Sequence, residues 1–254
     1  MIASLPMYDW PEVRNATDAL WQGLVRHIPG LPAIDRRSDH AGAWRQPDLL
    51  LSQTCGYPFT HEFRGQLKYL ATPHYAADGC NGANYCSIVL ARQSLPLAGF
   101  RGMTAAVNGP DSMSGMLALK LVFGRLAQDG RFFGNAFISG GHISSIAAVR
   151  EGRADICAVD AVCLALARCY RPGDLQGLVE VARSPAVPGL PLVTVAGDVD
   201  VIRHGLASAF ADPKMAKTRE ALLISGFSVL DPQAYDRILD LESQMQRGGG
   251  LDLI

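Results

Sequence analysis

The residues best suited to chemistry fall in three short stretches. In the first, Asn108-Gly109-Pro110-Asp111-Ser112-Met113-Ser114-Gly115, turn-forming residues follow a short apolar segment and precede an amphipathic one. A strand that hands over to a helix in this way leaves unpaired backbone N–H groups at the helix start. The hydroxyls of Ser112 and Ser114, with the amide of Asn108, would complete an anion site there. The same serines also suit ordinary helix capping. In the second stretch, Ser139-Gly140-Gly141-His142-Ile143-Ser144-Ser145, two glycines allow close backbone approach to a ligand, and His142 can donate a hydrogen bond to an anion. The third, Ala154-Asp155-Ile156-Cys157-Ala158-Val159-Asp160-Ala161-Val162, sets Asp160 at the end of a strand that is apolar on both faces. A carboxylate there either caps the next helix or meets a cationic or hydroxylated ligand. All three are strand-to-helix junctions, and open α/β sheets bind ligands at the carboxyl ends of their strands.

The elements that must position these residues read as short apolar runs alternating with amphipathic segments, which predicts an α/β protein with a largely parallel sheet. Strands are expected at 2–5, 48–52, 67–71, 85–91, 104–107, 136–139, 156–159, 177–182 and 192–196. A helix should follow Pro11 and reach about His27, and the stretch 30–45 reads as a long connection. Another opens at Ser112, where Met116, Leu119, Phe123 and Leu126 recur at helical spacing and form one buried stripe. Asp212-Pro213 and Asp231-Pro232 each place an N-cap carboxylate before a proline at the first helical position. In the last helix Tyr235, Ile238, Leu239 and Met245 are expected to face inward. The Gly248-Gly249-Gly250 triplet ends it, and the tail beyond is expected to be loose.

Common catalytic signatures are missing from the sequence: it has no Gly-x-Gly-x-x-Gly, no Walker loop and no Gly-x-Ser-x-Gly. His61-Glu62 begins like a zincin motif, but Gly65 stands where the second histidine belongs. The six cysteines include no Cys-x-x-Cys, and Cys157, Cys163 and Cys169 sit in apolar surroundings, as small buried residues do. His74, Cys80 and Cys86 match no compact zinc module, and Cys80 with Cys86 could equally form a disulfide. No cofactor is expected.

At 48% hydrophobic and 19% charged residues the 254-residue chain is not a disordered one, and a net charge of −1 argues against a polybasic nucleic-acid binder. Its length allows one large domain or two lobes. The first residues, Met1-Ile2-Ala3-Ser4-Leu5-Pro6-Met7, lack the basic and apolar regions of a secretory signal, and no apolar run is long enough to cross a bilayer. The expectation is a soluble protein with no direct membrane insertion, cytoplasmic as written and periplasmic if a leader has been removed.

On the run from Gly140 to Asp160, with its Gly-x-His, small-residue helix, Glu151-Gly152-Arg153-Ala154-Asp155 and terminal Asp160, the chain resembles the phosphate/phosphite/phosphonate substrate-binding protein family of the type 2 periplasmic-binding-protein superfamily. The likeness extends over nearly the whole chain, including 48–57, 85–92 and 108–115. It implies two α/β lobes joined by a hinge of two crossing strands, with a ligand held in the interlobe cleft. Lobe one would be 1–90 plus 183–254, and lobe two 91–182. The family's anion-holding hydroxyls fall on Ser112 and Ser114, its cleft histidine on His142, its acidic residue on Asp160, and its aromatic walls on Tyr57 and Tyr85. Leu51-Ser52-Gln53-Thr54-Cys55-Gly56-Tyr57 would line the opposing lobe, adding Gln53 and Thr54, while Trp10 and Trp44 serve either as stacking surface or as core.

This chain departs from the family's Ser-Thr-Ser-Gly-like run by placing Asp111 beside Ser112 and Met113 inside the loop, and a carboxylate there would repel a dianion. The implied function is a solute-binding protein closing on a small polar or anionic ligand, phosphonate-like or another oxyanion or zwitterion. It would serve an ABC permease or act as a cytosolic sensor or carrier, as a monomer or weak dimer. The alternative on the same fold is a cytosolic enzyme, a lyase like the futalosine-pathway chorismate dehydratase or a relative of the thiamin-pyrimidine enzymes. In that case Asp160 or His142 would be the general acid or base. No helix-turn-helix precedes the chain's first strand to suggest a transcription regulator.

Overall fold

In the computed structural model, which describes residues 1–253, the chain divides into two compact units. The first comprises Met1–Ala76, Asn81–Ala83 and Pro188–Ala234, and the second Ala77–Cys80, Asn84–Val187 and Tyr235–Ile254. These units are drawn differently from the lobes expected from sequence, since the segment from Asn84 and the C-terminal helix both count with the second.

The first unit is built on a five-stranded sheet in the order Ile2–Ala3, Leu49–Gln53, Leu192–Thr194, Lys68–Tyr75, Ile224–Ser228. The first two strands are parallel, while Leu192–Thr194 runs antiparallel to both of its neighbours. Leu49–Gln53 and Lys68–Tyr75 therefore point the same way, and their carboxyl ends share one edge. Leu49 to Gln53 are all buried, as a strand covered on both faces must be. Trp44, Leu49, Phe63, Leu67 and Val193 form a core cluster, and Trp44 also donates its indole N–H to Ser52 Oγ at 3.2 Å, which makes it a core residue. The helix Val199–Ala211 lies close against Arg14–His27 because Gly205 has no side chain. A Cβ there would stand 2.5 Å from the His27 carbonyl oxygen.

The second unit holds another five-stranded sheet, in the order Val179–Arg183, Ser87–Ala91, Ile156–Asp160, Thr104–Val107, Asn135–Ile138. Thr104–Val107 is parallel to both of its neighbours, with Val107 opposite Ile138 and Ala106 opposite Cys157. Ser87–Ala91 runs against Ile156–Asp160 and pairs Ser87 with Asp160. Val179–Arg183 is also antiparallel to Ser87–Ala91, so four carboxyl ends and one amino end of strands meet along a single edge. Helices His142–Arg150, Ala161–Tyr170 and Asp236–Arg247 belong to this unit.

Both sheets are mixed rather than largely parallel, because returning strands are inserted antiparallel between or beside the parallel ones. Nearly every expected strand is present within a few residues. Ile224–Ser228 was not expected, since its Ser225 and Gly226 break the apolar alternation. Within the expected connection 30–45 there is one short helix, His40–Trp44, capped by Asp39. Cys169 is exposed rather than buried, because it lies on the outer face of the last helical turn before Arg171. The tail is not loose: Leu251 is 1% exposed, and the Asp252 N–H donates to the Gly130 carbonyl at 2.8 Å. Its alternating leucines bury themselves against the second unit, an arrangement the glycine triplet before them permits. Among the described residues, no helix is long and apolar enough to cross a membrane.

Candidate functional site

The first and second chemical stretches come together in the second unit. They follow adjacent parallel strands, so the register that sets Val107 beside Ile138 also brings their loops together. After Val107 the chain turns through Asn108 to Ser112 and enters a single π-helical turn, Met113–Leu117, before the α-helix Ala118–Phe123. The Leu117 N–H reaches back five residues to the Ser112 carbonyl at 2.9 Å, and the widened turn keeps Ser114 on the inner side. Ser112 Oγ accepts from the Gly115 N–H at 3.0 Å and lies 3.5 Å from Ser114 Oγ. Capping and site-building are thus the same geometry at Ser112.

Across the gap between the loops, Ser114 Oγ lies 2.8 Å from His142 Nε2, and Asn108 Nδ2 approaches the same nitrogen at 3.5 Å. Burial pushes the His142 imidazole down to about 4, only partly opposed by the neighbouring Ala158 carbonyl, so the ring is neutral at physiological pH. Asn108 Oδ1 is buried and has no hydrogen-bond partner among the described residues. It lies directly over Gly115, where a Cβ would come within 1.8 Å of it, so only glycine fits there.

The helix His142–Arg150 starts from Gly140, at φ +89°, and the extended Gly141, and no side chain caps it. Its first N–H groups follow directly from the loop that carries His142. Ser139 braces that loop, donating to the Val107 and Gly141 carbonyls at 3.2 and 3.1 Å and meeting Ser145 Oγ at 2.7 Å. The sequence alone assigns Ser139 no role. Its position at a strand end and the hydroxyl of Ser145 six residues on were the available signal.

Asp160, on the neighbouring strand, is 2% exposed and caps the helix Ala161–Tyr170 by accepting from the Val162 and Cys163 N–H groups at 2.7 and 3.2 Å. Of the two roles open to it in sequence, capping is the one seen. Tyr85 is buried two residues before Ser87, the residue that pairs with Asp160, so it lies toward the same end of the sheet.

In the first unit Gln53, Thr54 and Tyr57 follow one strand end. Gln53 is buried and donates from Nε2 to Tyr75 Oη and the Leu190 carbonyl, both at 3.2 Å. Thr54 is fully buried, and its N–H donates to the Pro191 carbonyl at 3.1 Å. The Tyr57 ring stacks on His61 with centroids 3.8 Å apart. Tyr75 and Tyr8, which meet edge to face at 5.1 Å, join this group and were missed in sequence. The strand 68–75 runs four residues past its expected end, which hid Tyr75's place at the carboxyl edge.

The second-unit cluster can do one thing well: offer hydroxyl, amide and backbone N–H donors to an oxyanion. Among the described residues no group of histidine, cysteine or carboxylate side chains is arranged to hold a metal, and His74 Nε2 instead meets Ser228 Oγ at 2.8 Å.

A family profile described as ABC transporter, phosphonate, periplasmic substrate-binding protein matches residues 45–235. A search of curated protein sequences finds no match. Among solved structures, PhnD1 from Prochlorococcus marinus in complex with methylphosphonate is similar at 13% identity, with 97% of this chain and 98% of that one covered and a TM-score of 0.76. A binding protein component of an ABC phosphonate transporter from Pseudomonas aeruginosa is similar at 19% identity, covering 97% and 87% of the two chains, TM-score 0.73. A Xanthomonas citri protein bound to chloride ion shares 20% identity over 98% of each chain, TM-score 0.71. At these identities the likeness is one of fold.

Proposed function

The chain belongs to the periplasmic phosphonate substrate-binding family of ABC transporters, and from that premise we propose that its second unit holds the oxyanion of a phosphonate-like solute through Ser112, Ser114, His142, Asn108 and the uncapped start of the helix His142–Arg150. Asp160 fixes the neighbouring helix and borders the site, while Tyr85 encloses it. Gln53, Thr54 and Tyr57 offer a second polar and aromatic group, at the carboxyl edge of the first unit's own sheet. The solute is then delivered to an ABC permease from the periplasmic side. The family is one of substrate-binding proteins, so binding rather than turnover is the chemistry.

The observation that carries this reading is the 2.8 Å approach of Ser114 Oγ to His142 Nε2. It joins two strand-to-helix junctions into one set of donors beside an uncapped helix start, where anions are favoured. A neutral imidazole can donate from one nitrogen while the other accepts, so His142 can hold the Ser114 hydroxyl in place without bringing a charge.

Isothermal titration with methylphosphonate tests the reading directly. Each hydrogen bond to a charged ligand contributes roughly 1.5–3 kcal/mol, so the double variant Ser112→Ala, Ser114→Ala should bind about a hundredfold or more weakly. Unchanged affinity in that variant would leave Ser112 as a helix cap and Ser114 as a partner of His142 alone.

A further inference from the structure

The charges around the second-unit site are unusual for an oxyanion receptor. None of the three junctions, from Asn108 through Leu117, from Ser139 through Ala147 and from Asp160 through Leu164, contains a lysine or arginine. Their only formal charges are the carboxylates of Asp111 and Asp160. Burial keeps His142 neutral. The one cation that the edge strand Val179–Arg183 brings toward this end of the sheet, Arg183, is held by Asp78 at 2.9 and 2.8 Å and by Glu180 at 2.6 Å. Two other strands separate it from Thr104–Val107.

What remains to balance a bound anion is dipolar. Of the three helix starts, the one at Ala161 is already taken by the Asp160 carboxylate. The other two, at Met113 and His142, each supply roughly half a positive charge, which together match one negative charge and not two. Asp111 is exposed and makes no hydrogen bond or ion pair among the described residues. Its Oδ1 folds back over Gly109, within the loop that leads to Ser112. A second negative charge on the ligand would find no cationic side chain on these three junctions and would be repelled by Asp111.

Resting on the functional reading above, we propose that this site selects by charge, taking a singly charged oxyanion in preference to the dianion, and that Asp111 is the discriminating residue. The substrate class is then a phosphonate or phosphate that keeps one proton or one ester group on its phosphoryl oxygens.

The test is titration of the full chain with methylphosphonate between about pH 6 and about pH 9, because the second ionisation of a phosphoryl group falls near neutrality. The groups bordering the site do not confuse the reading: His142 titrates well below this range, and burial pushes Cys80 up to about 12 and Cys163 well above its usual value. Affinity should fall about tenfold or more as the ligand loses its second proton. The Asp111→Asn variant should flatten that fall to less than about threefold, the scale of one unit charge near a surface site. Asp111→Ser should behave alike, which guards against an effect peculiar to asparagine. Affinity that stays level or rises with pH, or an equal fall in both variants, would overturn charge selection while leaving phosphonate binding in place. No binding at any pH would overturn the functional reading and this inference together.

Discussion

Ser114 and His142 come from segments 28 residues apart and still meet at 2.8 Å, so the site depends on the ring staying neutral and in place. An imidazole held near 4 in the folded chain ordinarily titrates near 6.5 when unfolded. Folding therefore favours the neutral form. The stabilisation is fully present above about pH 6.5 and is lost as pH falls through about 4, because the unfolded chain takes up the proton first. The ceiling on this effect is about 3 kcal/mol, since each tenfold change in proton affinity is worth roughly 1.4 kcal/mol. His40 and His74 are displaced the same way by burial, so the wild-type curve alone does not isolate His142. The difference between wild type and His142→Gln does. Thermal midpoints measured from about pH 7 to pH 4 should fall less steeply in the variant, and parallel curves would remove His142 from the acid response.

At the scale of elements, the second unit shows which features a sequence displays and which it hides. Junction residues were legible because serine, glycine and aspartate at a strand-to-helix boundary carry local backbone requirements that do not depend on the rest of the fold. Thr104–Val107 was legible to the residue for the same reason, bounded by Gly102 and by Asn108-Gly109. Hidden were strand direction, which depends on distant pairing, and the π-turn at Met113–Leu117, whose apolar spacing reads as an ordinary helix. Hidden too was the choice between capping and ligand contact at Asp160, since both need a carboxylate at the same place. That choice can be tested through the helix it caps. Asp160→Ala removes the acceptor of two backbone N–H groups at a buried helix start and should cost about 1–3 kcal/mol of stability, read from urea unfolding. Asp160→Asn keeps a neutral acceptor and should recover most of that loss. If Asp160 also touches the ligand, Asp160→Asn alters affinity even where stability is restored; if it only caps, affinity holds.

For the whole molecule, the two units are not contiguous stretches of chain, and the C-terminal segment returns to the second after the first is complete. The segment brings Tyr235, Ile238 and Leu241 to bury in the helix Asp236–Arg247 and its 3-10 lead-in, then Leu251 and Leu253 beyond the glycine triplet. Sequence reading anticipated the helix face from its spacing but not the tail, because two leucines after three glycines carry no period from which to infer burial. The tail closes over the turn at Gly130, where the Asp252 N–H finds its acceptor. This is the same unit that presents Ser112 and His142, so the tail belongs to the scaffold of the proposed anion site. Leu251→Ala removes a side chain that is 1% exposed and should destabilise the protein by about 2–4 kcal/mol, toward the lower end for a position so near a terminus that can relax. Leu253→Ala, at 8% exposed and closer to the end, should cost less. The urea midpoint should therefore drop in the order wild type, Leu253→Ala, Leu251→Ala. Methylphosphonate affinity below the transition should stay within about twofold of wild type, since no contact to the oxyanion is lost. An unchanged midpoint for Leu251→Ala would mean that its burial is not coupled to folding of the second unit. A changed affinity at unchanged stability would mean that the tail reaches the site.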